Sequence, residues 1–230
     1  MTEKTLQHIG IILDGNRRWA KKRGLPAFQG HKKGFDNLKK VAGHAFDRGI
    51  KILTVYAFST ENWKRDKKEV AYLMDLFRLL VDREAKDLVK RGVRLNILGR
   101  IEDFDKDLQA GIQRAIDKTK DGKKGVLNVC LSYGGRDEIL TAVKKIIKDD
   151  IKAEKVDEKL FSRYLYTTGL PDPELIIRTS GEQRLSGFLT WQSVYSELYF
   201  PKTTWPSFGT KDLDKAIDEF NDRSRRFGGN

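Results

Sequence analysis

Apolar residues gather in short runs at 8–13, 52–58, 93–99, 126–133, 174–179 and 197–200. Runs this short, rich in Ile, Leu and Val, read as buried strands. Between them the pattern changes to a helical period near 30–48, 66–91, 103–118, 135–149 and 157–166, with a last stretch at 210–226. Strand then helix, repeated, predicts an α/β fold: a mostly parallel central sheet of about six strands, flanked by helices. The linkers are short, with no Pro/Ser-rich joint, repeat or low-complexity tract, so residues 1–230 read as a single domain. One connection, 179–196, is long and polar, and long loops at strand ends are usually functional. On the helix at 70–88, Val70, Leu73, Met74, Phe77, Leu80, Val81 and Leu88 form one apolar stripe. Core packing is its default reading, and the wall of a hydrophobic tunnel is the rival.

Charge narrows the class of partner. The chain carries 45 Lys and Arg against 33 Asp and Glu, a formal charge of +12. That excess favours nucleic acid, an acidic membrane surface or phosphorylated small molecules. The basic residues are spread along the chain without a nucleic-acid motif, so no nucleic-acid partner is expected. Cys130 is the only cysteine, which rules out an intrachain disulfide. The opening MTEKTLQHIG has too short an apolar stretch for a signal peptide, and no run reaches the roughly 20 apolar residues of a membrane span. The expected location is cytoplasmic, with at most a peripheral contact at the inner face of the plasma membrane.

The candidate chemistry sits where apolar runs end. The first run delivers Asp14 to a sheet rim, followed by Gly15, Asn16, Arg17, Arg18 and Trp19. Open α/β sheets place ligands at such rims. Gly15 lets backbone approach a ligand, and the next helix begins with free N–H groups beside two guanidiniums, an anion site. A carboxylate inside an anion site makes sense if Mg²⁺ bridges Asp14 and a diphosphate. His31, near the start of the next long helix, can donate to a phosphate oxygen or pass a proton; His8 and His44 have no such company and read as structural. The second run leads into Ser59, Thr60, Glu61, Asn62, Trp63, Lys64 and Arg65, a mixture suited to an apolar tail with a charged head. An ordinary capping loop with Trp63 packed on the core is the alternative. Arg178 at a strand end, with Arg184 and Ser186 close behind, fits the oxygens of a diphosphate, whereas a charged turn would pair Arg178 with Glu182. Glu197 opens the last run and is a candidate second metal carboxylate.

Taken in order, ILDGNRRWA, YAFSTENW, IIRTSGEQRLS, WQSVYSELYF and RRFGG resemble the cis-prenyltransferases, bacterial undecaprenyl diphosphate synthases above all. The resemblance runs from His8 to the C-terminal glycines. It implies an α/β homodimer with a parallel sheet and an elongated hydrophobic cleft. It implies an Mg²⁺-dependent transferase that adds isopentenyl diphosphate units to an allylic diphosphate, usually farnesyl diphosphate, with cis double bonds, to make a carrier lipid for peptidoglycan precursors. By the same resemblance, Asp14 and Glu197 bind metal, and Asn16, Arg17 and Arg18 hold the allylic diphosphate, whose departure His31 assists. Ser59, Glu61, Asn62 and Trp63 shape the reacting centre, Asn62 catalytically; Gly15, Trp19, Thr60 and Arg65 complete the substrate-binding set. Arg178, Arg184 and Ser186 bind isopentenyl diphosphate, and Arg226 belongs to an Arg-any-Gly signature that reaches the partner subunit's site. The Asp-rich motifs of trans-prenyltransferases are missing. Two positions depart from the family pattern: Ala27 stands where an arginine is usual, and Gly187 where an asparagine is usual. A non-catalytic partner subunit of this fold would lack the aspartate that this chain keeps at 14. An aspartyl phosphatase would carry a second acid two residues beyond Asp14.

Overall fold

The computed structural model describes residues 6–223. Six strands form one sheet: β1 (His8–Ile12), β2 (Ile52–Tyr56), β3 (Val93–Leu98), β4 (Gly125–Cys130), β5 (Leu175–Arg178) and β6 (Glu197–Tyr199). Their order is β3-β4-β2-β1-β5-β6, and every pairing is parallel. The all-parallel arrangement explains the unbroken apolar runs, because helices cover both faces and the residues of the inner strands β1, β2 and β5 are all buried. Ile9, Ile11, Leu53, Val55, Leu95, Ile176 and Ile177 are fully buried.

The connections are helices α1 (Asn16–Lys21), α2 (Ala27–Asp47), α3 (Lys67–Leu79), α4 (Ala85–Arg91), α5 (Lys106–Thr119), α6 (Gly135–Lys148), α7 (Glu158–Ser162) and α8 (Thr210–Asp222). The pattern at 66–91 is a continuous run in which a π-turn at Leu80–Glu84 joins α3 to α4. Such a turn widens the helix locally. Its apolar stripe is mainly core: Leu73, Met74, Phe77, Leu80 and Val81 belong to the main buried cluster, and of these Leu73 also lines the cleft described below. Helix α2 begins at 27 rather than 30, because Pro26 caps it and cannot lie within it. The pattern at 157–166 holds a helix only over Glu158–Ser162, after which the chain turns. His8 is buried with Nε2 2.7 Å from Thr54 Oγ1 and Nδ1 2.7 Å from the carbonyl of Pro171. Burial pushes its pKa down to about 4. His44 pairs with Asp214. Both are structural, as the sequence suggests.

Topology decides where the chemistry lies. From β1 the chain moves to β2 on one side; from β5 it moves to β6 on the other. The loops after β1 and β5 therefore part at a switch point, where open α/β sheets bind ligands. The register pairs Ile12 with Arg178, so Asp14, just past the end of β1, lies beside the end of β5. Helix α1 is pressed onto α2 at Gly30, where an added Cβ would lie 2.1 Å from the carbonyl oxygen of Asn16. We expect Gly30→Ala to separate these helices and lower stability by about 1–3 kcal/mol, the usual range for overpacking. Urea unfolding checks this.

Candidate active site

A cleft of about 1270 Å³ opens over the carboxyl ends of β1, β2, β4 and β5. Its walls come from four strand-end loops: Asp14 to Arg18 after β1, Ser59 to Asn62 after β2, Gly134 to Asp137 after β4, and Arg178 with Ser186 after β5. Leu13, Leu25, Phe58, Leu73 and Leu140 supply apolar surface. A second, smaller apolar pocket of about 80 Å³ lies between α2 and the π-turn, against Leu38, Ala42, Phe46, Leu80 and Leu88.

Asp14 is the hub. Its Oδ2 accepts from Arg178 Nη2 at 2.9 Å, and its Oδ1 faces Arg18 Nη2 at 3.1 Å. Thr179, fully buried, donates its hydroxyl to the Asp14 carbonyl at 2.7 Å and accepts from the Asp14 N–H at 3.0 Å. Burial pushes the Asp14 carboxyl upward, but the hydrogen bonds and charges of Arg178 and Arg18 outweigh it and hold the group below 3.8. Arg178 is buried and also donates to Ser186 Oγ at 2.8 Å and to the carbonyl of Arg184. Ser186 stands at φ +50°, a left-handed conformation uncommon outside glycine. At φ +100°, Gly15 turns the chain into α1, and a Cβ there would meet Ser180 Oγ at 2.7 Å.

A second carboxylate cluster lies beside the first. Glu69, near the start of α3 and largely buried, accepts from Arg65 Nη1 at 2.9 Å and pairs with His31 Nε2 at 3.0 Å. Its Oε2 lies 3.8 Å from Arg17 Nε. Burial lowers the His31 pKa below 6.5, and the Glu69 hydrogen bond offsets only part of that. The capping box of the loop after β2 uses Asn62, whose Oδ1 accepts the Ser59 N–H at 3.1 Å.

The structure gathers Asp14, Gly15, Asn16, Arg17, Arg18, His31, Ser59, Thr60, Glu61, Asn62, Arg65, Arg178 and Ser186 around one cleft. It does not bring in the others. Trp19 lies outside the lining and stacks against Arg23, whose guanidinium is 4.3 Å from the ring centroid. Trp63 takes the packing alternative: its ring meets Phe58 and Phe104, and Nε1 donates to Ser132 Oγ at 2.9 Å. The Arg184 side chain points out to Glu182 at 2.6 Å, and that same carboxylate also holds Arg18 at 2.8 Å. Arg178 is therefore not the partner of Glu182.

Glu197 does not share a metal shell with Asp14 within one chain. It pairs with Leu175 in register, at the amino end of the sheet, level with Ile9. Asp14 lies beyond the opposite, carboxyl end of β1, three strand residues past Ile9, about 10 Å in the strand direction, and then a turn. Glu197 instead holds Arg223 at 2.9 Å. Arg226 lies outside the described residues. Sequence reasoning missed Glu69 and Thr179, and it considered Glu182 only as a partner of Arg178, whereas Glu182 holds Arg18 and Arg184. The Arg65-to-Glu69 spacing of four was the available signal for Glu69.

A family model described as putative undecaprenyl diphosphate synthase matches residues 12–228. The chain belongs to that family, the cis-prenyltransferases. An isoprenyl transferase of Thermotoga maritima is 50% identical over 225 residues, with 97% of each chain covered. One from Clostridium perfringens is 47% identical over 99% of this chain and 91% of its own. Among solved structures, lavandulyl diphosphate synthase from Lavandula x intermedia, in complex with dimethylallyl diphosphate, superposes with a TM-score of 0.94 at 35% identity. That match covers 98% of this chain and 99% of the other. A probable undecaprenyl diphosphate synthase from Campylobacter jejuni gives a TM-score of 0.82 at 31% identity, covering 98% and 100%. The chain is thus a transferase of prenyl groups with the family's six-stranded parallel sheet.

The hub makes a pH prediction. A carboxyl depressed in the folded state contributes stability in full above its unfolded pKa and loses it as pH falls through the folded value. Arg178→Met should raise the Asp14 pKa, read by ¹³C NMR of its carboxyl carbon. It should also cost about 1–3 kcal/mol at neutral pH. That cost should shrink below about pH 4, where the unfolded carboxyl takes up its proton.

Proposed function

We propose that the chain condenses isopentenyl diphosphate units onto an allylic diphosphate, farnesyl diphosphate, to build a long cis-polyprenyl diphosphate, undecaprenyl diphosphate for a cell-wall carrier lipid. The observation that carries this reading is the meeting of Asp14, Arg18, Arg178 and Ser186 at the switch point, beside the apolar wall of one cleft. Such a cleft suits an anionic head and an apolar tail. The solved relative that holds dimethylallyl diphosphate supports an allylic diphosphate here.

The donors divide the heads between them. Arg17, Arg18 and the backbone after Gly15 hold the allylic diphosphate, with His31 close to its leaving oxygen. Arg178 and Ser186 hold isopentenyl diphosphate, and Arg184 joins them by leaving Glu182. Ser59, Thr60, Glu61 and Asn62 line the space between, where the new carbon–carbon bond forms. Asn62 uses its carbonyl oxygen in the capping box, which leaves its amide N–H groups to face substrate.

Asp14 suits a magnesium ion. It offers hard oxygen donors in a diphosphate-binding cleft, and magnesium needs only one or two carboxylates when substrate phosphates and water complete its shell. Among the described residues no three His, Cys, Asp or Glu side chains cluster, so no all-protein cage is available. Bound magnesium supplies charge stabilisation for the departing diphosphate. Arg178 and Arg18 then serve as counter-ions that keep Asp14 ionised and aimed. In this reading the active unit is a cytoplasmic homodimer, with Arg226 acting across its interface and release of product at the membrane surface. No helix of the described residues is long and apolar enough to cross a membrane.

Incubation with farnesyl diphosphate, labelled isopentenyl diphosphate and Mg²⁺ should give long cis-polyprenyl products. Asp14→Ala should fold but lose turnover by several orders of magnitude. Turnover within tenfold of wild type would remove Asp14 from this role. The departure at Ala27 gives a second test, since Ala27 opens α2 and lines the cleft on the His31 side. Ala27→Arg should add a charged hydrogen bond of about 1.5–3 kcal/mol. The KM for farnesyl diphosphate should then fall about tenfold or more, with that for isopentenyl diphosphate little changed. A selective gain for isopentenyl diphosphate would reverse the assignment of the two heads.

A further inference from the structure

Glu69 belongs to none of the sequence motifs, yet its one carboxylate touches three of them. It holds His31 of α2, Arg65 of the loop after β2 and Arg17 of α1. Its side chain is only 12% exposed, and that of His31 only 7%. A carboxylate this dry needs such partners to offset its lost solvation. His31 has two ring nitrogens, and Glu69 takes Nε2. Among the described residues nothing bonds to Nδ1, and His31 lines the cleft. The partner of one nitrogen decides the state of the other.

We propose that Glu69 is a positioning residue: it fixes the proton of His31 on Nε2, presents Nδ1 to the allylic diphosphate, and gathers Arg17 and Arg65 around the same head. This rests on the reading that His31 serves the allylic diphosphate. As a carboxylate, Glu69 can only accept from the ring, so neutral His31 carries its hydrogen on Nε2. When a diphosphate binds, its negative charge draws a proton from solvent onto Nδ1, and the Glu69 charge supports the resulting imidazolium. As the allylic carbon–oxygen bond breaks, its electron pair stays on the diphosphate oxygen, and Nδ1–H donates a hydrogen bond to it. The proton is held throughout, so the ring is ready for the next addition.

The charged groups around His31 come from three elements: Glu69 from α3, Arg65 from the preceding loop and Arg17 from α1. The two arginines and burial all oppose protonation, and Glu69 alone among them favours it. Without that carboxylate, imidazolium becomes harder to form.

Nitrogen-15 NMR of the histidine rings tests this directly. The chain has three histidines, and His31→Gln assigns the resonance. Wild type should show neutral His31 as the Nε2–H tautomer. In Glu69→Gln the His31 midpoint should fall by about one pH unit. In the same variant the KM for farnesyl diphosphate should rise about tenfold or more, with the KM for isopentenyl diphosphate unchanged. Glu69→Asp should restore the tautomer and much of the affinity, and it decides the matter if the glutamine variant does not fold. An Nδ1–H tautomer in the wild type or Glu69→Asp would overturn the proposal. So would an unchanged midpoint and KM in a folded Glu69→Gln. If the NMR behaves as expected while the wild type makes no polyprenyl product, the functional reading fails and the Glu69–His31 coupling stands.

Discussion

Asp14 and Arg178 face each other at 2.9 Å across the switch point of the sheet, and neither is stable there alone. Arg178 is buried at a strand end, where a guanidinium without an anion is costly. Asp14 is half-buried, and burial alone would favour its neutral form. Arg178, with Arg18, holds the Asp14 carboxyl below the usual carboxylate range, and the β1–β5 register sets Arg178 beside it. The surrounding features follow from keeping that pair in place. Thr179 pins the Asp14 backbone, Gly15 turns α1 so that Arg18 reaches the second carboxylate oxygen, and Ser186 adopts a left-handed conformation to meet Arg178.

The same logic extends to the rest of the cleft. Four arginines that line it are held by carboxylates of the chain itself: Arg18 and Arg178 by Asp14, Arg17 and Arg65 by Glu69, and Arg18 also by Glu182, which holds Arg184 at the rim. A chain with an excess of twelve positive charges thereby concentrates several guanidiniums in one place without leaving them to repel one another. In the function proposed above, a diphosphate competes for these same donors, and it brings more charge than a carboxylate. Exposed pairs such as Arg184–Glu182 contribute little and break easily, whereas the buried Asp14–Arg178 pair does not. The site is thus rigid at its base and adaptable at its rim.

Much of this was legible in the chain. Each apolar run became a strand, because a parallel sheet buried on both faces leaves a continuous signal. The residues at the ends of β1, β2 and β5 were recognisable because polar groups follow apolar runs abruptly there. What could not be read was pairing over distance. Asp14 and Arg178 are 164 positions apart, and only the strand order brings them together. Glu197 shows the reverse case. It opens a strand, so it sits at the amino end of the sheet, where a one-dimensional reading cannot separate it from residues at the carboxyl end. Trp63 and Trp19 carry side chains that serve packing and binding equally well, and only their neighbours decide between the two. Glu69 stood in a run of ordinary charged residues, and its partners come from three different elements.

A double-mutant cycle on Asp14→Ala and Arg178→Ala, with stability measured by urea unfolding at pH 7, tests the central claim most directly. If the pair is the constraint on which the site is built, each single change leaves its partner buried and uncompensated, and the second change costs far less than the first. The expected coupling is about 1.5–3 kcal/mol. Single effects that add to within about 0.5 kcal/mol in the double variant would contradict the account.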